Sequence, residues 1–329
     1  MAKSWSRKRR GRLGAWLWAL LLATALTGAA LAEKKIALTF NDLPSRGPSG
    51  FWRPREVSNQ ILRTLEEHQV AAAGFVVQEK IDDQPMLYVV LTDWAERGFI
   101  LGNQSYSRVD YNVLDYRDYY EHVKDGQKDI ARLGRLKGIA FRFFRPPQLH
   151  YGNTEGKLKD LRGLLRRNGY QMAHVTVKTS DHQFIRAYLE HEREPENVAR
   201  LQRLFLAHVN QSLEYAEQQS EKVFGRNIRH ILLLRCGIAT AMFLDELITF
   251  LKEEKGYSFV TLSEALEDTA YQAEDEYAGP EGLIFIDRVA ATRGLTYNPQ
   301  EGELQRDDVE RWLQEMIAEE SASSSKDPR

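Results

Sequence analysis

The sequence predicts an α/β fold with a parallel sheet, from its hydrophobic rhythm and its size. Short apolar runs alternate with longer stretches whose apolar residues recur at helical spacing. Strands that alternate with helices imply parallel pairing. With 329 residues, 43% of them hydrophobic, the chain can bury a large core.

Residues 35–40 form the first predicted strand, which runs into a loop carrying Pro44, Gly47, Pro48 and Gly50. Apolar residues at helical spacing predict a helix over 57–68, followed by a strand over 71–77. Helix 86–97 precedes strand 99–101, and helix 116–133 precedes strand 141–144. Helix 158–168 leads to strand 171–177, helix 201–223 to strand 228–234, and helix 243–252 to strand 259–262. Residues 186–200 break the rhythm with Glu190, Glu192, Arg193, Glu194 and Glu196 and read as a solvated helical excursion. Residues 271–288, with Gly279-Pro280-Glu281-Gly282, read as a cap or strap outside the alternating unit. A helical pattern around Val309, Trp312 and Met316 spans 307–319, and the polar stretch from Ser321 is expected to be disordered.

The first 32 residues read as a signal peptide. Lys3, Arg7, Lys8, Arg9, Arg10 and Arg12 make a basic region, an apolar run follows from Leu13, and Ala30-Leu31-Ala32 offers a small-x-small cleavage site before Glu33. The competing reading is an uncleaved membrane anchor, since 13–30 is nearly long enough to span. Cleavage after Ala32 places the mature chain in the periplasm or outside the cell. Removing the six basic residues takes the net charge from −2 to about −8, which argues against a general nucleic-acid binder. The lone Cys236 can form no intramolecular disulfide, so the core must supply the stability.

Leu38-Thr39-Phe40-Asn41-Asp42 resembles the Thr-Phe-Asp-Asp motif of the polysaccharide deacetylase (NodB-homology) family, metal-dependent carbohydrate esterases, with the first acid replaced by an amide. Further likenesses follow in order. Gly102-Asn103-Gln104-Ser105-Tyr106-Ser107-Arg108 is similar to the family's Gly-Asn-His-Ser/Thr-x-Ser-His, with Gln104 and Arg108 in the places of the two metal histidines. Arg145-Pro146-Pro147 resembles the groove-lining Arg-x-Pro motif. Lys178 through His182 resembles Asp-x-x-x-Trp, and Leu232-Leu233-Leu234-Arg235 resembles Leu-x-x-His. The resemblance spans 34–268 and implies a distorted (β/α) barrel of about seven parallel strands with its site at the strand C-termini. It divides the chain into a leader (1–32), a barrel (33–268), a strap and helix (269–320) and a tail (321–329).

The resemblance also assigns lost roles. Asn41 stands where the family has its base, Asp42, Gln104 and Arg108 where it has its metal ligands, and Arg235 where it has its general acid. Lys178 replaces the acid that partners the retained Arg145. An amide has no titratable proton acceptor, so Asn41 cannot act as a base. Zinc needs three N, S or O ligands and an open position, which Asp42 beside an amide and a guanidinium does not supply. A fixed Arg108 charge about 4 Å from a dication would cost about 8 kcal/mol at an effective dielectric near 20. No metal or other cofactor is therefore expected. Gln104 is expected to hydrogen-bond to Asp42 or a neighbouring backbone group.

Pro146, Pro147, His150 and His182 are the remaining candidates for contact with a ligand. No Gly-x-Ser-x-Gly elbow is present, which argues against a serine hydrolase. Arg108, Arg145, Lys178 and Arg235 against Asp42 and Asp181 give the mouth a cationic cast suited to an anionic oligosaccharide. The competing reading is that Arg108 and Arg235 pair with Asp42 and fill the space vacated by metal and histidines. The sequence thus predicts an exported, deacetylase-like pseudoenzyme associated with cell-wall or acidic glycans. Its alternatives are an active zinc-type N-deacetylase with rearranged ligands, or a variant emptied of function.

Overall fold

A computed structural model describes residues 33–45, 52–300 and 302–324. The leader and the tail from residue 325 lie outside the described residues. No helix among the described residues is long and apolar enough to cross a membrane.

The first strand, β1 (Lys34–Leu43), is buried along nearly its whole length because it has a partner on both sides. It pairs in parallel with β2 (Ala72–Val76) and with β7 (His230–Arg235), and its first residues pair with β8 (Tyr257–Phe259). Beyond β2 lie β3 (Ile100–Asn103), β4 (Phe143–Phe144) and β5 (Gln171–Met172), while β6 (Val177–Lys178) flanks β7. Every pairing is parallel, as expected of the α/β sheet, and the two edge strands, β5 and β6, are consecutive in the chain, so the sheet curls into an incomplete barrel.

The strand expected at 171–177 is two strands, and the reason is a change of partner. Ala173 N donates to Phe144 O at 2.8 Å on one edge of the sheet, and Thr176 N donates to Ile231 O at 3.0 Å on the other. Between them Phe285 N donates to Val175 O at 2.7 Å, so the C-terminal segment is built into the barrel wall at its seam. Phe285, Ile286, Val289 and Ala290 of the helix Phe285–Thr292 are all buried there.

The helix expected at 116–133 is likewise two helices, Tyr116–Asp125 and Lys128–Lys137. The break falls at Gly126, where a Cβ would lie 2.5 Å from the backbone of Ser105. That close approach anchors the helix pair to the loop after β3 and fixes the path of the chain towards Arg108. The charged excursion resolves into α7 (Asp181–His191) and the start of α8 (Pro195–Phe224). Another helix, α9 (Ile238–Thr249), leaves the end of β7 and begins five residues before the predicted start at 243.

Candidate functional site

Because all strands run the same way, their C-terminal ends meet at one mouth. Asn41 and Asp42 end β1, Gln104 follows β3, Arg145 follows β4, Lys178 ends β6 and Arg235 ends β7. Asp42 takes a left-handed backbone with φ 69°, and Arg108 does so with φ 59°. Such conformations are unfavourable for side chains larger than Asn or Asp and persist only where the surroundings hold them. Here the holding bonds are visible. Asp42 N donates to Gln104 Oε1 at 2.8 Å, and the buried Lys80 ammonium donates to Asp42 O and, at 3.0 Å, to Pro44 O.

Arg145 is fully buried and has no carboxylate partner among the described residues. Its Nη1 donates to Thr39 Oγ1 at 2.8 Å and to Asn41 Oδ1 at 2.9 Å, its Nε donates to Ala173 O at 3.1 Å, and the guanidinium lies 4.1 Å from the Phe75 ring centre. Burial pulls its pKa down to about 9, so it stays charged at neutral pH. The amide of Asn41 is thus a positioned acceptor for a cation.

Asp42 lies between two guanidinium groups. Arg108 Nε is 3.1 Å from its Oδ1, and Arg235 Nε is 3.7 Å from its Oδ2. The Arg108 contact is an ion pair with poor hydrogen-bond angles, since Oδ1 accepts no well-formed bond. Arg235 leans more heavily on the fully buried Asp181, with Nη1 2.6 Å from Oδ1. Burial alone would depress the Arg235 pKa, but Asp181 and then Asp42 outweigh it and raise the value above the ordinary one. Thr240 Oγ1 donates to Asp181 Oδ2 at 3.2 Å, so this acid is held from three sides. The arrangement matches the expected filling of the mouth by arginine pairs.

Zinc does not fit these residues. Asp42 offers the one carboxylate among the three ancestral ligand positions, and both its oxygens face cations. Gln104 spends its carbonyl on a backbone N–H, as expected from the sequence. Among the described residues the one cluster with metal-ligand spacing, Glu190, His191 and Glu310, lies elsewhere, where α7 meets the C-terminal helix.

The expected cation excess is smaller than the sequence implied. Lys178 Nζ is 2.8 Å from Glu303 Oε1 and 3.5 Å from Gly282 O, both contributed by the C-terminal segment. Asp42, Asp181 and Glu303 then offset three of the four cations, leaving Arg145, which solvent does not reach. No motif marks Glu303 as a partner of Lys178, from which it lies 125 positions away. Ser180 Oγ fastens the same stretch, donating to Gly302 O at 2.8 Å and accepting from Leu304 N at 3.0 Å.

Two cavities share the ion cluster as a wall. One, of about 270 Å³, is lined by Asn41, Gln104, Gln148, His150, Lys178 and Glu303 among others. His150 is held there by Asp110, Nδ1 to Oδ1 at 2.6 Å. The larger, of about 660 Å³, lies towards α7 and α9 and includes His182 at its rim. Partial burial, and then the Arg235 charge, lower the His182 pKa. Pro146 and Pro147 line neither cavity; Pro147 is buried and shapes the turn that presents His150.

The family model described as polysaccharide deacetylase matches residues 28–173. No curated protein matches the chain. Among solved structures, a CE4 family pseudoenzyme from Bacillus anthracis is 20% identical, with 72% of this chain and 66% of that chain covered and a TM-score of 0.47. A polysaccharide deacetylase from Bacillus cereus is 19% identical over 69% of this chain and 91% of that one, with a TM-score of 0.47. The peptidoglycan deacetylase of Bacillus subtilis, in a mutant form, is 19% identical over 80% and 94%, with a TM-score of 0.45. Likenesses at this level say nothing of chemistry, which rests on the residues at the mouth.

Proposed function

Taking the chain as the polysaccharide deacetylase relative indicated by the match over residues 28–173, we propose that it is an exported, non-hydrolytic member that holds a glycan. The observation that carries this reading is the double pairing of Asp42, 3.1 Å from Arg108 and 3.7 Å from Arg235, where hydrolysis would need a metal and its bound water. Asn41 accepts from a charged Arg145 and has no proton chemistry to offer at neutral pH. Asn41, Gln104, Arg108 and Arg235, in the places of the family's base, metal histidines and general acid, can neither activate water nor protonate a leaving amine.

Binding is a separate matter. The 270 Å³ cavity presents two amides at Gln104 and Gln148, the imidazole of His150 and the Lys178–Glu303 pair, all suited to hydroxyl and carboxylate groups of a sugar. Export rests on the basic and apolar leader of residues 1–32.

The test is metal analysis of the purified protein together with acetate release from chitooligosaccharides and acetylated peptidoglycan fragments. We expect well under one equivalent of zinc, nickel or cobalt and no acetate above background. A tightly held equivalent with chelator-sensitive acetate release would overturn the reading.

Glu303 makes a second expectation. An acidic sugar must compete with its carboxylate for Lys178, so oligogalacturonide should bind weakly and lose affinity as salt rises. Glu303→Gln removes the competing charge and is expected to strengthen that binding roughly tenfold, about 1.4 kcal/mol. Neutral chitooligosaccharides should respond little. Calorimetric titration of both proteins at two salt concentrations checks this, and equal affinity of wild type and variant for the acidic sugar would count against Lys178 as its contact.

A further inference from the structure

The larger cavity has a composition unlike a sugar groove. Its volume of about 660 Å³ falls within the usual range for small-molecule sites. One side is aliphatic, formed by Val57, Val77, Ile185, Leu189 and Ile238. Ile185 and Leu189 are four apart on α7 and share one face with His182, so a helix presents this wall as a continuous stripe. The other side carries Lys80, Arg108 and Arg235 against Asp42 and Glu79.

Two features aim positive charge into this space. Arg108 spends Nε on Asp42, and its two terminal nitrogens have no partner among the described residues, while the side chain is 45% exposed. At the far end α9 begins at Gly237 without a side-chain cap, and Gly237 and Ile238 both line the cavity. A twelve-residue helix directs free N–H groups and its positive end there. Gly237 lies against the aliphatic wall, where an added Cβ would stand 2.2 Å from Ile185 Cδ1 and displace that side chain.

We propose that this chamber is a second binding site, for a small anion with an apolar body such as an aliphatic carboxylate. The carboxylate meets the free fork of Arg108, and the chain lies along Ile185, Leu189, Ile238 and Val57. Neither part suffices alone: the anion needs the guanidinium, and the chain needs the stripe. The two cavities share Asp42, Arg108 and Arg235, but Ile185 lines only the larger and Glu303 only the smaller, so variants at those two residues let either proposal fail without the other.

The test is calorimetric titration of the full chain with octanoate, acetate and 1-octanol. Octanoate is expected to bind, with acetate and 1-octanol each weaker by at least about tenfold, since the burial of several methylenes or one charge-assisted bidentate contact is then lost. Ile185→Glu and Arg108→Gln should each weaken octanoate by about tenfold or more while retaining a cooperative melting transition; if Ile185→Glu does not fold, Leu189→Gln takes its place. No heat with octanoate, 1-octanol binding as tightly as octanoate, or wild-type affinity in both folded variants would overturn the proposal.

Discussion

Lowering the pH from 6.5 to 5 is expected to remove about 5 kcal/mol of folding stability, enough to bring a domain of ordinary stability, about 5–15 kcal/mol, close to unfolding. The cause is three buried histidines that the fold holds neutral. Burial lowers His174 to about 3, and His208 and His230 to about 4 each. Their bonding agrees, for His208 Nε2 accepts the backbone N–H of Ser180 at 3.0 Å, and His230 is wedged between Thr176 and Asn227. A protonated His208 could not accept that bond.

The sign follows from proton uptake. Below about pH 6.5 the unfolded chain binds three protons that the folded chain refuses until pH 4 or lower, so stability falls as pH falls across that window. Each group contributes about 1.4 kcal/mol per pH unit once its unfolded form is fully protonated. His191, raised by Glu310 and Glu194 in spite of partial burial, gains stability on acidification, and His182, lowered, loses it, so these two oppose each other. Urea unfolding at pH 7, 6.5, 6, 5.5 and 5 measures the slope, and His208→Gln should lessen it by about a third. A flat profile between pH 6.5 and 5 would show that these imidazoles are not held neutral.

Much of the mouth was legible in the sequence because its framework is local. Asn41 and Asp42 end a continuously buried strand, Gln104 and Arg108 follow another, and Arg235 ends a third, so motif order alone brought Asp42, Arg108 and Arg235 together. The filling of the metal position by arginine was likewise foreseeable from charge. What could not be read is long-range. Glu303 reaches Lys178 from the C-terminal segment, which the sequence left outside the barrel as a strap, whereas Phe285 bonds to Val175 at the seam of the wall. The residues 173–176 change partners between two sheet edges, which a run of apolar residues does not reveal. The break at Gly126 depends on its approach to Ser105, a tertiary contact that overrides helical periodicity.

Restoring the family's residues together, through Asn41→Asp, Gln104→His, Arg108→His, Lys178→Asp and Arg235→His, is expected to give one tight equivalent of zinc, against well under one equivalent expected for the wild type. Any single change should do little. Arg108→His alone leaves Arg235 Nε 3.7 Å from Asp42 Oδ2, and one guanidinium near a dication costs about 8 kcal/mol at 4 Å and an effective dielectric near 20. Arg235→His alone leaves Arg108 in the same relation to Oδ1 and strips the buried Asp181 of its strongest partner, a loss that costs about 3–5 kcal/mol in a buried pair. Gln104→His supplies a ligand that the remaining cations repel. Gln104, Arg108 and Arg235 act as a unit because one carboxylate residue, Asp42, is the common partner of both arginines and, through its own N–H, of the Gln104 amide. Zinc titration of the dialysed variant, with circular dichroism to show that it folds, decides the matter. A folded revertant that binds no zinc would mean that Asp42, Gln104 and Arg108 do not occupy the places of a metal triad.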